Sequence, residues 1–121
     1  MAEHNLIGNK GEELARVYLR KNDYHILHSN WRFRKNEIDI IAEKNNLLVV
    51  VEVKTRTSGY FENPKEAVTK RKQKFIIQAT EAYIHEFDIH YEVRFDVIAI
   101  TIVNNETKIE HIKDAFQPSL L

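Results

Sequence analysis

Two apolar runs separated by Asn45-Asn46 constrain this chain more than any other feature: "EIDIIAEKNNLLVVVEVKTR", residues 37–56. Runs of this length, rich in β-branched residues, are typical of strands. Asn tolerates the positive φ that a tight two-residue turn requires. The segment therefore predicts a β-hairpin, which fixes the residues that face each other across its two strands.

The predicted hairpin carries four charged residues on one face. With the turn centred on the two asparagines, Asp39 falls directly opposite Glu52, and Glu37 falls opposite Lys54. We expect these four side chains to form one cluster. The other face carries Ile38, Ile40, Val51 and Val53.

The facing carboxylates point to metal chemistry. Two carboxylates with Cβ atoms roughly 5 Å apart repel each other unless a proton or a cation lies between them. Oxygen ligands favour Mg²⁺ or Mn²⁺ over zinc. Lys54 shares the face of Glu52, where its ammonium could orient a water or stabilise charge on a phosphate. The pattern therefore indicates a nuclease-like site.

The alternative is an ordinary surface arrangement. Glu-x-Lys is a short pattern in a chain with 30% charged residues, and an exposed Glu37–Lys54 pair would contribute under about 1 kcal/mol. Against this alternative, residues 47–53 are almost entirely apolar, so Asp39 and Glu52 are expected near a buried edge. Uncompensated charge is costly at such a position.

The rest of the chain supplies two helices and three further strands. Helical spacing predicts a helix from about Ile7 to Lys21, with Gly11 on its apolar stripe where another element can pack closely. A helix between the third and fourth strands would let those strands run parallel. The fold class is therefore α/β with a mixed sheet in the order αβββαββ. The other predicted elements are strands at 25–33, 36–43, 46–54 and 93–103, a loop at 57–64, a helix from Pro64 to Glu86, and a weaker edge strand at 107–112.

Composition narrows the class of protein. The 121 residues are 43% hydrophobic and contain no linker-like segment, which predicts one domain over residues 1–121. Eighteen basic and eighteen acidic residues give zero net charge, so any nucleic-acid contact must come from a local patch. The lack of cysteine excludes disulfides. No window is apolar enough for a membrane span, and a soluble cytoplasmic protein is expected.

Basic residues gather near both parts of the predicted site. Lys72 continues the apolar stripe of the second helix, so we expect it to point toward the sheet. Around it lie Lys65, Lys70, Arg71 and Lys74, while Arg32, Arg34, Lys35 and Arg56 flank the meander. These side chains could contact phosphates without reading base sequence, and a solvated basic face is the alternative.

Other polar and aromatic residues are expected to be structural. Asp96 interrupts an apolar strand, which predicts a hydrogen bond to Arg94, a neighbouring strand or a helix terminus. Trp31 is expected in the core and Tyr60-Phe61 in a loop, although such rings can also stack on unpaired bases. The six histidines show no metal-ligand spacing and are assigned no role.

Five segments together resemble a known family. "GNKGEELARVYL", "NWRFRKNEIDII", "VVVEVKTR", "PKEAVTKRKQ" and "RFDVIAI" are similar in order and spacing to the YraN-like family of predicted endonucleases. The resemblance covers nearly the whole chain. It implies the restriction-endonuclease-like fold of the PD-(D/E)XK superfamily, in a layout similar to that of archaeal Holliday junction resolvases.

The resemblance also implies roles for particular residues. The metal aspartate of the superfamily corresponds to Asp39, and its Glu-x-Lys pair to Glu52 and Lys54. A glutamate on the first helix, which serves as a further catalytic residue and metal ligand, corresponds to Glu12, whose alternative role is that of a helix-start acid. Lys72 would join the phosphate site. Asn36 stands where the family pattern has glycine.

Two functions are therefore open. The first is a Mg²⁺- or Mn²⁺-dependent endonuclease acting on DNA, including branched or single-stranded DNA. The second is a nucleic-acid-binding or assembly module that keeps the fold without cleaving, with a homodimer or a protein partner supplying the targeting.

Overall fold

The structure, a computed structural model, describes residues 2–57 and 68–118. It is an α/β fold with a five-stranded mixed sheet and two helices, in the predicted order. Neither helix within the described ranges is long and apolar enough to cross a bilayer. The elements are α1 (Ala2–Lys21), β1 (His25–Phe33), β2 (Asn36–Lys44), β3 (Leu47–Arg56), α2 (Lys70–Phe87), β4 (Glu92–Val103) and β5 (Glu106–Phe116).

The strands lie in sequence order across the sheet, from β1 to β5. Neighbouring strands are antiparallel except for β3 and β4, which run parallel over the full length of β3. The chain crosses between these two strands through α2, as predicted, because a parallel connection needs a crossover element. The mixed sheet expected from the element order is confirmed.

The turn between β2 and β3 is the one that the sequence predicts. Asn45 and Asn46 both have positive φ, 52° and 60°, as a two-residue hairpin turn of this twist requires. Backbone pairing then runs from Lys44↔Leu47 to Ile40↔Val51 in the predicted register.

Three element boundaries differ from the predictions. Helix α1 begins at Ala2, earlier than Ile7. A continuous helix from Pro64 is wrong, because Thr69 has an extended backbone and its hydroxyl caps α2 by accepting the N–H of Lys72 at 3.1 Å. Pro64 itself lies outside the described residues. Strand β5 is longer than expected and ends at Phe116.

The sheet buries both of its faces. Helix α1 covers one face through Ala15 and Leu19, and α2 covers the other through Ile76 and Tyr83. The middle of β4 is buried on both sides, as its apolar sequence predicts. Trp31 packs edge-on against the ring of Tyr83, within the α2-side core.

Strand β2 changes face at Asp39. Ile38 packs in the core on the α2 side, whereas Ile40 packs in the core on the α1 side. A regular strand would keep residues two apart on one face. Asn30, which lies across from Asp39 on β1, adopts a left-handed backbone with φ of 52°. The prediction that Ile38 and Ile40 share a face is therefore wrong, because both strands crease here.

A buried polar network ties β4 to β5. Asp96 is fully buried and accepts two hydrogen bonds from Arg94, at 2.9 and 2.8 Å, and one from the backbone N–H of Asp114 at 3.0 Å. These contacts match the partners predicted for it. The ring of His111, to which no role was assigned, lies 2.7 Å from Asp96 and 3.0 Å from the hydroxyl of Tyr18 on α1.

These contacts outweigh the cost of burying the Asp96 charge. Burial alone would raise the pKa of Asp96, but the hydrogen bonds from His111, Arg94 and the Asp114 N–H hold that pKa below its usual range. The carboxylate is thus a stable anion at neutral pH that joins two strands and one helix.

Asp96→Asn should lower the free energy of unfolding by about 3 kcal/mol, since it leaves the half-buried Arg94 without its anionic partner. Urea denaturation followed by circular dichroism measures this loss. Asp114→Asn is the matched control, because the side chain of Asp114 is exposed and accepts a hydrogen bond from the exposed Gln117. Equal stabilities of the two variants would contradict the assignment.

Candidate functional site

The candidate site begins where β2 and β3 separate. Among the described residues, their backbone pairing ends at Ile40↔Val51. Just beyond this point, the N–H of Val53 donates to Asp39 Oδ2 at 2.8 Å. A side-chain oxygen thus accepts a strand N–H that a backbone carbonyl would ordinarily accept. The carboxylate of Asp39 is thereby held between the two strands.

Asp39 and Glu52 form a carboxylate pair in this gap, with Asp39 half-buried and Glu52 buried. Glu52 is only 6% exposed, and its side chain hydrogen-bonds to that of Asp39. Burial, followed by repulsion from Glu52, raises the pKa of Asp39 to about 8. In the absence of a cation, the Asp39 carboxyl therefore keeps its proton at neutral pH.

Lys72 supplies part of the missing positive charge. Its Nζ lies 3.6 Å from Glu52 Oε2, with the lysine half-buried between α2 and the sheet. The position follows from the Thr69 cap, which starts α2 so that its first turn faces the carboxylates. The structure thus places Lys72 toward the sheet, where the apolar stripe indicates that it should be.

Lys54 lies on the same face of β3 as Glu52. The parallel pairing of β3 with β4 is unbroken from Leu47 to Arg56, so residues two apart keep one face. Val53, between them, packs in the α1-side core. The half-buried Lys54 is therefore on the α2 side, one strand repeat beyond the carboxylate pair.

Glu12 approaches Asp39 from α1. Its carboxylate accepts a hydrogen bond from Asn30 Nδ2 at 2.9 Å and lies 4.0 Å from Arg16. Burial raises the pKa of Glu12 despite the hydrogen bond from Asn30, and the negative charge of Asp39 adds to the rise. The side chains of Glu12 and Glu52 thus reach Asp39 from opposite faces of the sheet.

Gly11 allows α1 to approach β3 this closely. A Cβ atom on Gly11 would overlap Thr55 Oγ1 and lie 2.9 Å from Thr55 Cβ. The sequence indicates a close approach at Gly11, and Thr55 is the residue that fills it. Because Glu12 follows directly, this contact also sets the depth at which its carboxylate sits.

Glu37 does not join the site. Its carboxylate lies 3.8 Å from Arg32 on the neighbouring strand β1. Since β2 changes face at Asp39, Glu37 falls on the side of the sheet where its charge raises the pKa of Glu12. The predicted cluster of four charges, with Glu37 opposite Lys54, is therefore wrong in this one member.

The predicted nucleic-acid contacts divide into two groups. On the meander, Arg32 pairs with Glu37, and the guanidinium of Arg34 lies 4.8 Å from the ring centre of Phe33. Arg56 ends β3 beside Thr101. On α2, Lys70 and Arg71 are exposed and lie away from the sheet. Tyr60, Phe61 and Lys65 lie outside the described residues.

Residues 11–100 match the family described as "Uncharacterised protein family UPF0102". The chain belongs to the UPF0102 family. It is 49% identical over 116 residues to a UPF0102 protein of Christiangramia forsetii, covering 96% of this chain and 98% of the relative. A UPF0102 protein of Phocaeicola vulgatus is 47% identical over 120 residues, covering 99% of each. The YraN-like membership expected from the motifs is confirmed, and the matched range contains every site residue from Glu12 to Lys72.

The carboxylate pair fits a hard divalent cation. Mg²⁺ is commonly held by one or two carboxylates together with waters and substrate phosphates. Asp39 and Glu52 would supply those two carboxylates, and the raised pKa of Asp39 is what a missing cation would produce. Within residues 2–57 and 68–118, no three acidic or histidine side chains form a ready-made metal cage, and the role of Glu12 as a third ligand stays a prediction.

The sequence does not predict the structural role of Asn30. It lies inside an apparently regular strand, yet it creases β1 and holds Glu12. The only available signal is its residue type, because Asn adopts left-handed backbone more readily than most residues.

The stability of the metal-free protein should fall as pH rises. The pKa of Asp39 is about 8 when folded and about 4 when unfolded, so the folded chain binds more protons between these values. The resulting loss should be about 3–4 kcal/mol between pH 5 and 8, since each pH unit in this range contributes up to about 1.4 kcal/mol. Urea unfolding in EDTA at several pH values measures it.

Asp39→Asn should flatten this pH dependence and make the variant more stable than the parent at pH 8. Asp23→Asn, exposed in the turn after α1, should keep the parental profile. An unchanged profile in Asp39→Asn would refute the raised pKa of Asp39.

Gly11→Ala should destabilise the chain by about 1–3 kcal/mol, because the new methyl group overlaps Thr55. Gly8→Ala on the same helix is the matched control. Nothing lies within 4 Å of its added Cβ, so the change should stabilise by up to about 1 kcal/mol. A double-mutant cycle with Thr55→Gly should show that the loss at Gly11 is largely recovered. Additive losses would argue against a direct contact.

Proposed function

We propose that this chain is a metal-dependent endonuclease that hydrolyses phosphodiester bonds in DNA. One observation carries the proposal: a carboxylate pair, the half-buried Asp39 and the buried Glu52, lies in the gap between two strands with Lys72 beside it. A pair of buried acids that retains a proton is unfavourable for stability alone, and functional sites are where such pairs concentrate.

The proposed fold is the restriction-endonuclease-like core of the PD-(D/E)XK superfamily, related in layout to archaeal Holliday junction resolvases. The helix, antiparallel meander, crossover helix and parallel strand occur here in that order. Asp39 and the Glu52-x-Lys54 triplet lie on adjacent strands of the meander. Family membership and motif spacing support this assignment.

Each residue has a chemical role in the proposal. Asp39 and Glu52 would hold the divalent cation, which would neutralise phosphate charge and make a bound water more acidic. Lys54, on the face of Glu52, would orient the attacking water or stabilise the negative charge that develops on the phosphate. Lys72, whose Nζ lies 3.6 Å from Glu52 Oε2, would contact a phosphate oxygen. Glu12, with its raised pKa, would exchange protons beside Asp39.

Cleavage of supercoiled, single-stranded and branched DNA tests the proposal. We expect nicking or cutting with Mn²⁺ and none with EDTA. Glu52→Gln should reduce the rate by roughly 10²-fold or more, because it removes a ligand charge. Glu13→Gln is the matched control on α1, since Glu13 is largely exposed and pairs with Arg16. Gel electrophoresis of the products gives the rates.

Lys54 separates a catalytic role from a structural one. Lys54→Ala should fold normally and lose roughly 10²-fold in rate. Lys54→Arg keeps the charge but cannot readily give up a proton, so it should restore DNA binding without restoring cleavage. Parental rates in both Lys54 variants and in Glu52→Gln would refute the proposed machinery.

A second function is nucleic-acid binding or assembly without cleavage. It is favoured by the zero net charge of the chain, which gives only weak electrostatic recruitment of a nucleic-acid substrate. Binding of the DNA substrates without cleavage under any metal condition would support it. In that case, a protein partner or a second copy of the chain would supply the targeting.

A further inference from the structure

A groove on the outer side of α2 is separate from the carboxylate pair. It runs between α2 and the chain that follows β5, and its volume is about 660 Å³. This volume suits an extended strand or a small molecule better than a double helix. The groove is lined by Lys70, Arg71, Lys74, Ile77, Gln78 and Gln117, with Gln73, Glu81 and Pro118.

The groove carries excess positive charge in a neutral chain. Three cationic side chains line it against a single carboxylate, that of Glu81. Helix α2 has no acidic residue in its first turn, so the positive end of its dipole adds to the charge of Lys70 and Arg71. The groove is therefore a local cationic patch of the kind that zero net charge requires for binding a polyanion.

The other lining groups are chemically mixed. Ile77 and Pro118 give apolar surface, while Gln73, Gln78 and Gln117 carry amide groups. Two of the amides are already anchored: Gln73 donates to the Val68 carbonyl and Gln117 to Asp114, each at 3.0 Å. A single nucleic-acid strand combines the same features, with phosphates on one side and sugars and hydrogen-bonding bases on the other.

The first turns of α2 divide their basic residues between the groove and the site. Lys72 faces the sheet and reaches Glu52, whereas Arg71 and Lys74 line the groove. Since an α-helix turns about 100° and rises about 1.5 Å per residue, Arg71 in the groove lies about a quarter-turn around the helix from Lys72 and about 1.5 Å along its axis. A strand whose phosphate occupies the site could thus continue into the groove.

We propose that this groove binds the sugar–phosphate backbone of a single nucleic-acid strand adjoining the phosphate at the carboxylate site. The inference rests on the proposed function for its choice of ligand. The observation behind it is that the cationic, partly apolar groove begins on the same turns of α2 that carry Lys72.

Anisotropy of a fluorescein-labelled oligothymidylate, titrated with the protein in EDTA at several NaCl concentrations, tests the groove without cleavage. Arg71→Ala/Lys74→Ala should weaken binding roughly tenfold. It should also lower the slope of log affinity against log salt by about 1.4, since each lost phosphate contact contributes about 0.7 for a single strand. The matched control is Arg20→Ala/Lys21→Ala, which removes two exposed charges from the end of α1, on the opposite face of the sheet. It should change affinity by less than about twofold.

Several results would overturn the proposal. These are an equal effect of the two double variants, no binding by the parent chain, tighter binding of a duplex than of a single strand, or equally tight binding of polyglutamate. An RNA oligonucleotide in parallel distinguishes the two nucleic acids within the proposal. The groove proposal and the nuclease proposal can fail separately. If the parent chain cleaves no DNA but Arg71→Ala/Lys74→Ala weakens binding, the nuclease proposal is refuted and the groove proposal is supported. If the parent chain cleaves DNA but Arg71→Ala/Lys74→Ala leaves binding unchanged, the groove proposal is refuted and the nuclease proposal is supported.

Discussion

The hydrogen bond from the Val53 N–H to the Asp39 carboxylate is the contact on which the site depends. It replaces a backbone bond at the point where β2 and β3 separate, so the two strands stay connected while their side chains gain room between them. The face change at Asp39 follows from the same distortion, and Asn30 on β1 accommodates it through its left-handed backbone. In a regular hairpin, backbone hydrogen bonds between β2 and β3 would continue through this point, and the acidic side chains would lie on one face of the sheet.

The crease also brings together groups that a flat sheet would keep apart. Glu12 comes from α1 on one face, and Glu52 with Lys72 comes from the α2 face. Asp39 interacts with all three because it sits between the layers. Two contacts set their depths: Gly11 lets α1 settle against Thr55, and Thr69 fixes where α2 starts. The geometry of the site is thus determined by a glycine and a helix cap that have no chemistry of their own.

The fold was predictable to the extent that local rules govern it. The Asn-Asn turn fixes the register of β2 with β3, and the apolar stripe of α2 indicates that Lys72 faces the sheet. The predicted faces of Glu37 and Ile38 are wrong for one reason. Period-two alternation assumes an unbroken strand, and the residues of "NEIDII" do not indicate that Asp39 replaces a backbone acceptor. The predicted start of α2 is wrong because proline favours the first turn of a helix more strongly than threonine indicates a cap. The capping role of Thr69 depends on where the chain turns. Asn30 could not be assigned because its partner, Glu12, is 18 residues away on another element.

A comparison of Asp39 with Asp96 explains why one is a candidate reactive group and the other is structural. Both are acids in buried strands, and each accepts the N–H of a neighbouring strand through its carboxylate. They differ in the charge of the side chains that surround them. Asp96 meets Arg94 and His111, whose hydrogen bonds outweigh burial and lower its pKa. Asp39 meets another carboxylate, so burial and repulsion raise its pKa to about 8. Asp96, which joins strands, thus has cationic partners that neutralise its charge. The Asp39–Glu52 pair has Lys72 as its neighbouring cation, and this single positive charge does not balance two carboxylates. A site that is short of positive charge in the absence of ligand is one that a divalent cation can complete.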